Sequence, residues 1–183
     1  MTTVFKNKLL SNIGTQIAVT GVTASYPSAG SVRLTFADQG TVPFTNGQLI
    51  NVTGITVNGY NGLQTVTSCN ATTLTYSNAT TGAATGGTIS PCILNSNASA
   101  TTTVVGLSLT NTTSSIIVAS VQLQDTVTST TAYFVQNIVI PPNTSARIIN
   151  GGERLVLGAT TYVMVWSNQI TSIDAVLSYV EIS

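Results

Sequence analysis

No histidine occurs anywhere in this 183-residue chain, and charged side chains make up only 5% of it, against about 25% in ordinary globular domains. Without histidine, neither a Ser-His-Asp nor a Cys-His arrangement can be assembled. Glycoside hydrolysis needs two carboxylates facing one bond. The five available are Asp38, Asp125, Glu153, Asp174 and Glu181. Asp174 and Glu181 stand seven apart in a strand-like run and so point to opposite faces. Glu153 adjoins Arg154 and reads as a hairpin salt bridge or a solvated pair. No enzyme is expected. "GYNG" and "GATGG" lack the downstream lysine and strand-to-helix setting of a phosphate loop. No basic patch interleaved with aromatics is present, which points away from nucleic acid.

Cysteine is scarce as well: Cys69 and Cys92 are the only two. Two thiols without histidine or a neighbouring carboxylate cannot complete a zinc shell, and no cofactor or metal is expected. A disulfide is one reading; two reduced thiols in a protein assembled in a cytosol is the favoured one. Long apolar runs are missing. "SIIVASVQL" (115–123) falls far short of the roughly 20 residues a helix needs to span a bilayer, so no membrane association is expected. The opening "MTTVFKNKLLSNIGTQ" does not read as a secretory signal. Six N-x-[ST] sequons, at Asn51, Asn70, Asn78, Asn97, Asn111 and Asn143, are then what a chain rich in Asn, Thr and Ser produces by chance.

What fills the chain instead is Thr, Ser, Asn and Gly, with period-two alternation. "SVRLTFA" alternates Val32, Leu34 and Phe36 against Arg33 and Thr35. "LQTVTSC", "TLTYSN", "VVGLSLT", "IIVASVQLQ", "TTYVMVWS" and "DAVLSYVEI" follow the same pattern. Short β-branched runs divided by Gly, Asn, Pro and Ser predict many antiparallel strands in a sandwich or barrel. Asn46-Gly47, Asn58-Gly59, Asn61-Gly62 and "IPPNTS" (140–145) mark turns.

The charges are unevenly placed. Between Asp38 and Asp125, 86 residues pass without one Asp, Glu, Lys, Arg or His. Lys6 and Lys8 lie near the start, and Arg147, Glu153, Arg154, Asp174 and Glu181 near the end. The shared composition of the two ends suggests that the N-terminal strand (residues 1–18) completes a main sandwich formed by 91–183. Residues 19–90 then form an inserted small β-barrel or sandwich-like module, leaving through the loop "SPCILNSNASA" (90–100). Two tandem domains are the alternative.

Two stretches carry a resemblance. "VPFTNGQLINVTGITVNGYNGLQTVTSCNATTLTYSNATTGAATGGTI" resembles a module recurring in structural proteins of tailed phages, marine cyanophages above all. Its marks are the "GQLINVTG" strand, the Tyr60-Asn61-Gly62 turn, the "VTSC-TLTY" pair and the closing "GGTI". The C-terminal half, with "VVGLSLTNTT", "IPPNTS", "GGERLVL" and "SYVEI", is similar to small virion structural proteins. The resemblance implies a multi-copy virion protein assembled in the host cytoplasm. It would decorate or cement the capsid, or form part of the neck or tail. Its implied partners are copies of itself and other virion proteins.

A physical reason stands beside this. A charge at an assembly interface is costly to desolvate unless paired, whereas Thr, Asn and Ser can face water or be buried with one hydrogen bond satisfied. The alternative function is recognition of a receptor or glycan on a host surface. Tyr60, Tyr76, Phe44 and Trp166 are the aromatic candidates for it. Tyr60 and Asn61, at an expected exposed turn, are the chosen partner-contact residues. Tyr162, Met164 and Trp166 share one face of "TTYVMVWS", and core packing is the favoured reading of that face.

Overall fold

A computed structural model describes residues 1–183, which form strands, one 3-10 turn and the turns and irregular loops between them. The strands in chain order are β1 (Thr3–Ile13), β2 (Ile17–Ala24), β3 (Ser31–Phe36), β4 (Leu49–Thr53), β5 (Gly62–Cys69), β6 (Thr73–Ser77) and β7 (Thr88–Asn95). They continue with β8 (Thr101–Asn111), β9 (Ile117–Asp125), β10 (Thr130–Ile140), β11 (Ser145–Ile149), β12 (Leu155–Leu157), β13 (Thr161–Ser167) and β14 (Ile173–Ile182). The protein is therefore all-β, as the alternation predicts, and every strand pairing is antiparallel.

Two compact units divide the chain. One comprises Met1–Gly14 and Cys92–Ser183, the other Thr15–Pro91. Ile17 and Ala18 pair with Ile89 and Thr88 inside the second unit.

The first unit is a β-sandwich. One sheet runs β1-β14-β8, with β11 and β12 both on the far side of β8. The other runs β10-β9-β13, with Cys92–Asn95 of β7 at its end. Alternation sends one side chain in two to the core. Leu107 and Leu109 of β8 and Ala175, Leu177 and Tyr179 of β14 meet Ala119 and Val121 of β9 and Val163 and Val165 of β13.

The second unit closes on itself. Pairings run β2–β3–β6–β5–β4, then from β4 to the Thr88–Pro91 part of β7, and from β7 back to β2. The ring encloses Val32, Leu34, Ile50, Val52, Tyr60, Leu74, Tyr76 and Ile89, all fully buried. Closure removes the free edges of an open sheet. Gly87 shows how tightly the ring is drawn: its φ is +105°, and a Cβ there would come within 2.6 Å of Ile55 Cγ1.

Two expectations are overturned here. The exit "SPCILNSNASA" is not a linker loop: Ser90–Asn95 belongs to β7, and Ser90, Cys92, Ile93 and Leu94 are buried. Pro91 and the polar flanks suggest a break, but the Thr88–Pro91 part of β7 pairs with β2 and β4 and its Cys92–Asn95 part with β13. The face bearing Tyr162, Met164 and Trp166 is buried only in part: Met164 is buried, whereas Tyr162 and Trp166 are half-buried and do not face the core between the two sheets. Val163 and Val165 take that place, because they align with Leu123 and Val121 of β9, whereas Met164 aligns with Gln122.

Candidate functional site

Tyr60 is not exposed. It ends a single 3-10 turn, Asn58–Tyr60, and its side chain is fully buried in the core of the second unit. Its hydroxyl donates to the Gly82 carbonyl at 2.8 Å, and its own carbonyl accepts from the Tyr76 hydroxyl at 3.0 Å. An "NGYNG" stretch reads as a surface turn from its Asn and Gly. The ring nevertheless turns inward, because the barrel interior is the only place where a residue this apolar removes its full area from water.

Asn61 is half-buried and fastens the chain to itself. Its Oδ1 accepts from Ile55 N–H at 2.9 Å and its Nδ2 donates to the Ile55 carbonyl at 2.9 Å. Both groups that would meet a partner are occupied internally. Phe44 and Tyr76 are buried too.

The acids are dispersed and hold local structure. Asp38 caps a turn through Gly40 N–H at 2.9 Å. Asp125 accepts from Val127 N–H at 2.8 Å, and that bond leads the causes holding its carboxyl below the ordinary range. Asp174 accepts from Asn12 N–H at 3.0 Å. Glu181 pairs with Lys6 across β14 and β1, and its hydrogen bond raises the Lys6 ammonium above its ordinary value. Glu153 and Arg154 stand exposed on the hairpin, on the rim of a cleft of about 390 Å³ with Phe134, Ile149 and Leu155. No two carboxylates converge on a common point. Cys69 and Cys92 are both free thiols; Cys92 is buried and Cys69 half-buried.

Two surface features remain, both on the sandwich. The first is β1. It pairs with β14 along one edge only and lies at the end of its sheet. From Thr3 to Leu9 it is exposed on both faces, with Phe5 80% and Leu9 75% exposed. Leu9 aligns with exposed Val176, and Phe5 with Val180. These apolar groups form a stripe on the face away from the core, while Lys6 and Lys8 project from the other face of β1.

The second feature is aromatic. Tyr133 of β10 and Trp166 of β13 meet edge to face, centroids 5.9 Å apart and planes at 63°, on the outer side of the second sheet. Sequence reasoning singled out Trp166 but not Tyr133. The signal available for Tyr133 was "AYFVQN", two adjacent aromatics that strict alternation cannot bury together.

No protein family model, curated protein or solved structure matches this chain.

Proposed function

We propose that the protein is a non-enzymatic structural component of a tailed-phage particle, present in many copies, that decorates or cements the capsid or forms part of the neck or tail. The observation that carries this reading is β1: an 11-residue edge strand with an unpaired edge and an exposed Phe5–Leu9–Val176 stripe. Long apolar edges are a liability in a solitary domain and a template for pairing with another chain. Lys6 and Lys8 on the alternate face discriminate against indiscriminate partners.

The near-absence of charge supports the same reading. Contacts made through Thr, Asn and Ser carry no buried-ion penalty and depend little on salt. The sequence resemblance supports it independently.

The experiment is the mass of the purified chain by light scattering after size exclusion, together with mass spectrometry of tailed-phage particles that encode it. A stable ring or larger assembly and a many-copy signal in particles are the expected results. A chain absent from purified particles refutes the reading.

A further inference from the structure

The outer face of β10-β9-β13 is organised around Tyr133 and Trp166, and nothing in an assembly role through β1 calls for it. Strand β10 reaches this arrangement through two bulges. Tyr133 aligns with Gln122 and Val135 with Val121, so Phe134 is an extra residue; a second shift falls between Val135 and Ile138. Bulges re-aim side chains. The first splits the adjacent aromatics, setting Tyr133 against Trp166 and Phe134 beside Ile149. At the second, Asn137 sits at φ +55°, a region non-glycine residues seldom occupy. It is held there by its N–H donating to Ser120 Oγ at 3.1 Å. Ser120 in turn aligns with Trp166.

The chemistry of this face is uniform. Strands β10 and β13 contain no Asp, Glu, Lys or Arg, and Asp125, the one such residue of β9, is engaged in capping its own turn. Electrostatic matching therefore selects an uncharged occupant. Tyr133 is 47% exposed. Between it and buried Met164 lies Gln122, a half-buried carboxamide on the same face, and the Trp166 ring is half-buried beside them. Aromatic rings with an amide and an indole N–H beside them, on a sheet, form a surface that is apolar in its body and polar at its rim.

We propose that the Tyr133–Trp166 face binds an uncharged carbohydrate. The rings pack against the C–H face of a pyranose, and Gln122 and the indole N–H meet its hydroxyls. The site lies on the opposite sheet of the sandwich from β1 and does not depend on the assembly reading.

Trp166 is the only tryptophan, so its emission reports on the site directly. The full chain is screened against an array of uncharged oligosaccharides and their sulfated and uronate counterparts. Hits are titrated while Trp166 emission and acrylamide quenching are followed. Expected are an uncharged hit that shifts the emission and shields the indole, and a loss of affinity of about tenfold or more in Tyr133→Ala. Gln122→Ala weakens binding by a smaller factor. Should Tyr133→Ala lower the urea midpoint, Tyr133→Leu, which keeps apolar bulk without a ring, makes the same test. Binding confined to charged glycans, no uncharged hit, or unaltered affinity in Tyr133→Leu overturns the proposal. Light scattering on the same samples leaves the two readings separable.

Discussion

The Tyr76 hydroxyl donates to the backbone carbonyl of Tyr60 across 3.0 Å, inside the closed ring of strands. Both rings are fully buried, and burial pushes the Tyr76 phenol far above its ordinary value, which keeps it a donor at neutral pH. The bond fixes the 3-10 turn from the inside. Tyr60→Ala removes a ring from a filled core and should cost roughly 3–5 kcal/mol. Tyr76→Phe removes only the donor and should cost about 1 kcal/mol, somewhat more because the carbonyl it leaves is buried. Urea denaturation of the two variants checks the order; equal midpoints would contradict the packing described.

Asn111 is a second interior anchor. Its Nδ2 lies within 3.0 Å of the carbonyls of Ser115, Ile140 and Pro141, and its Oδ1 accepts from Thr113 N–H and Oγ1 at 2.8 Å. One fully buried amide thus ties the "LTNTT" turn to the "IPPNTS" turn. Asn111→Ala leaves several buried polar groups unpaired and should cost on the order of 3 kcal/mol, read as a lowered thermal midpoint. Asn111→Asp replaces the donor with an acceptor facing three carbonyls and should be at least as damaging. The same burial excludes Asn111 and Asn51 as accessible sequons.

Cys92 makes the fold sensitive to alkali. Burial raises its thiol from 9.0 to about 12, against smaller opposing hydrogen bonds to Leu94 and Val163. The unfolded chain ionises near 9 while the folded chain stays protonated. Stability from this group is therefore complete below pH 9 and is lost as pH rises from 9 toward 12. About 1 kcal/mol should be gone by pH 10. The urea midpoint of the native chain should fall more steeply from pH 8 to 10 than that of Cys92→Ala. Parallel curves would contradict this. In native buffer an alkylating reagent should reach Cys69, which is half-exposed, well before Cys92.

Leu9→Asp tests β1 without touching a core. Leu9 is 75% exposed, so the single sandwich should keep its urea midpoint within about 0.5 kcal/mol. An assembly built on the Phe5–Leu9–Val176 stripe should dissociate in light scattering, because a carboxylate there must be desolvated without a partner. An assembly that survives Leu9→Asp places the contact elsewhere.

Most of the fold is legible in the residues. Period-two alternation with Gly, Asn and Pro between runs marks β3, β5, β6, β8, β9, β13 and β14, since a β-sheet has no other way to bury one face. The candidate sites are far less legible. Tyr60 and Trp166 are both aromatics in polar surroundings, yet one is core and the other surface. Local sequence holds the turn at Asn58–Tyr60 but not the ring of strands that surrounds it. The exit strand β7 is obscured by Pro91, a residue that removes a ladder donor and so reads as a strand break, although it aligns with Ile50 of β4.

By itself the sequence determined the class: strands rather than helices, surfaces of hydroxyl and amide rather than charge, and no histidine for acid–base chemistry. Only the tertiary structure decided which face of a strand is inside. "TYVMVWS" alternates two apolar sets, Tyr162–Met164–Trp166 and Val163–Val165, and its own pattern favours neither. Alignment with β9 settles it, because that strand turns Val121 and Leu123 one way and Gln122 and Gln124 the other. A side-chain period of two gives every strand two equivalent faces, and only its neighbours can break the tie.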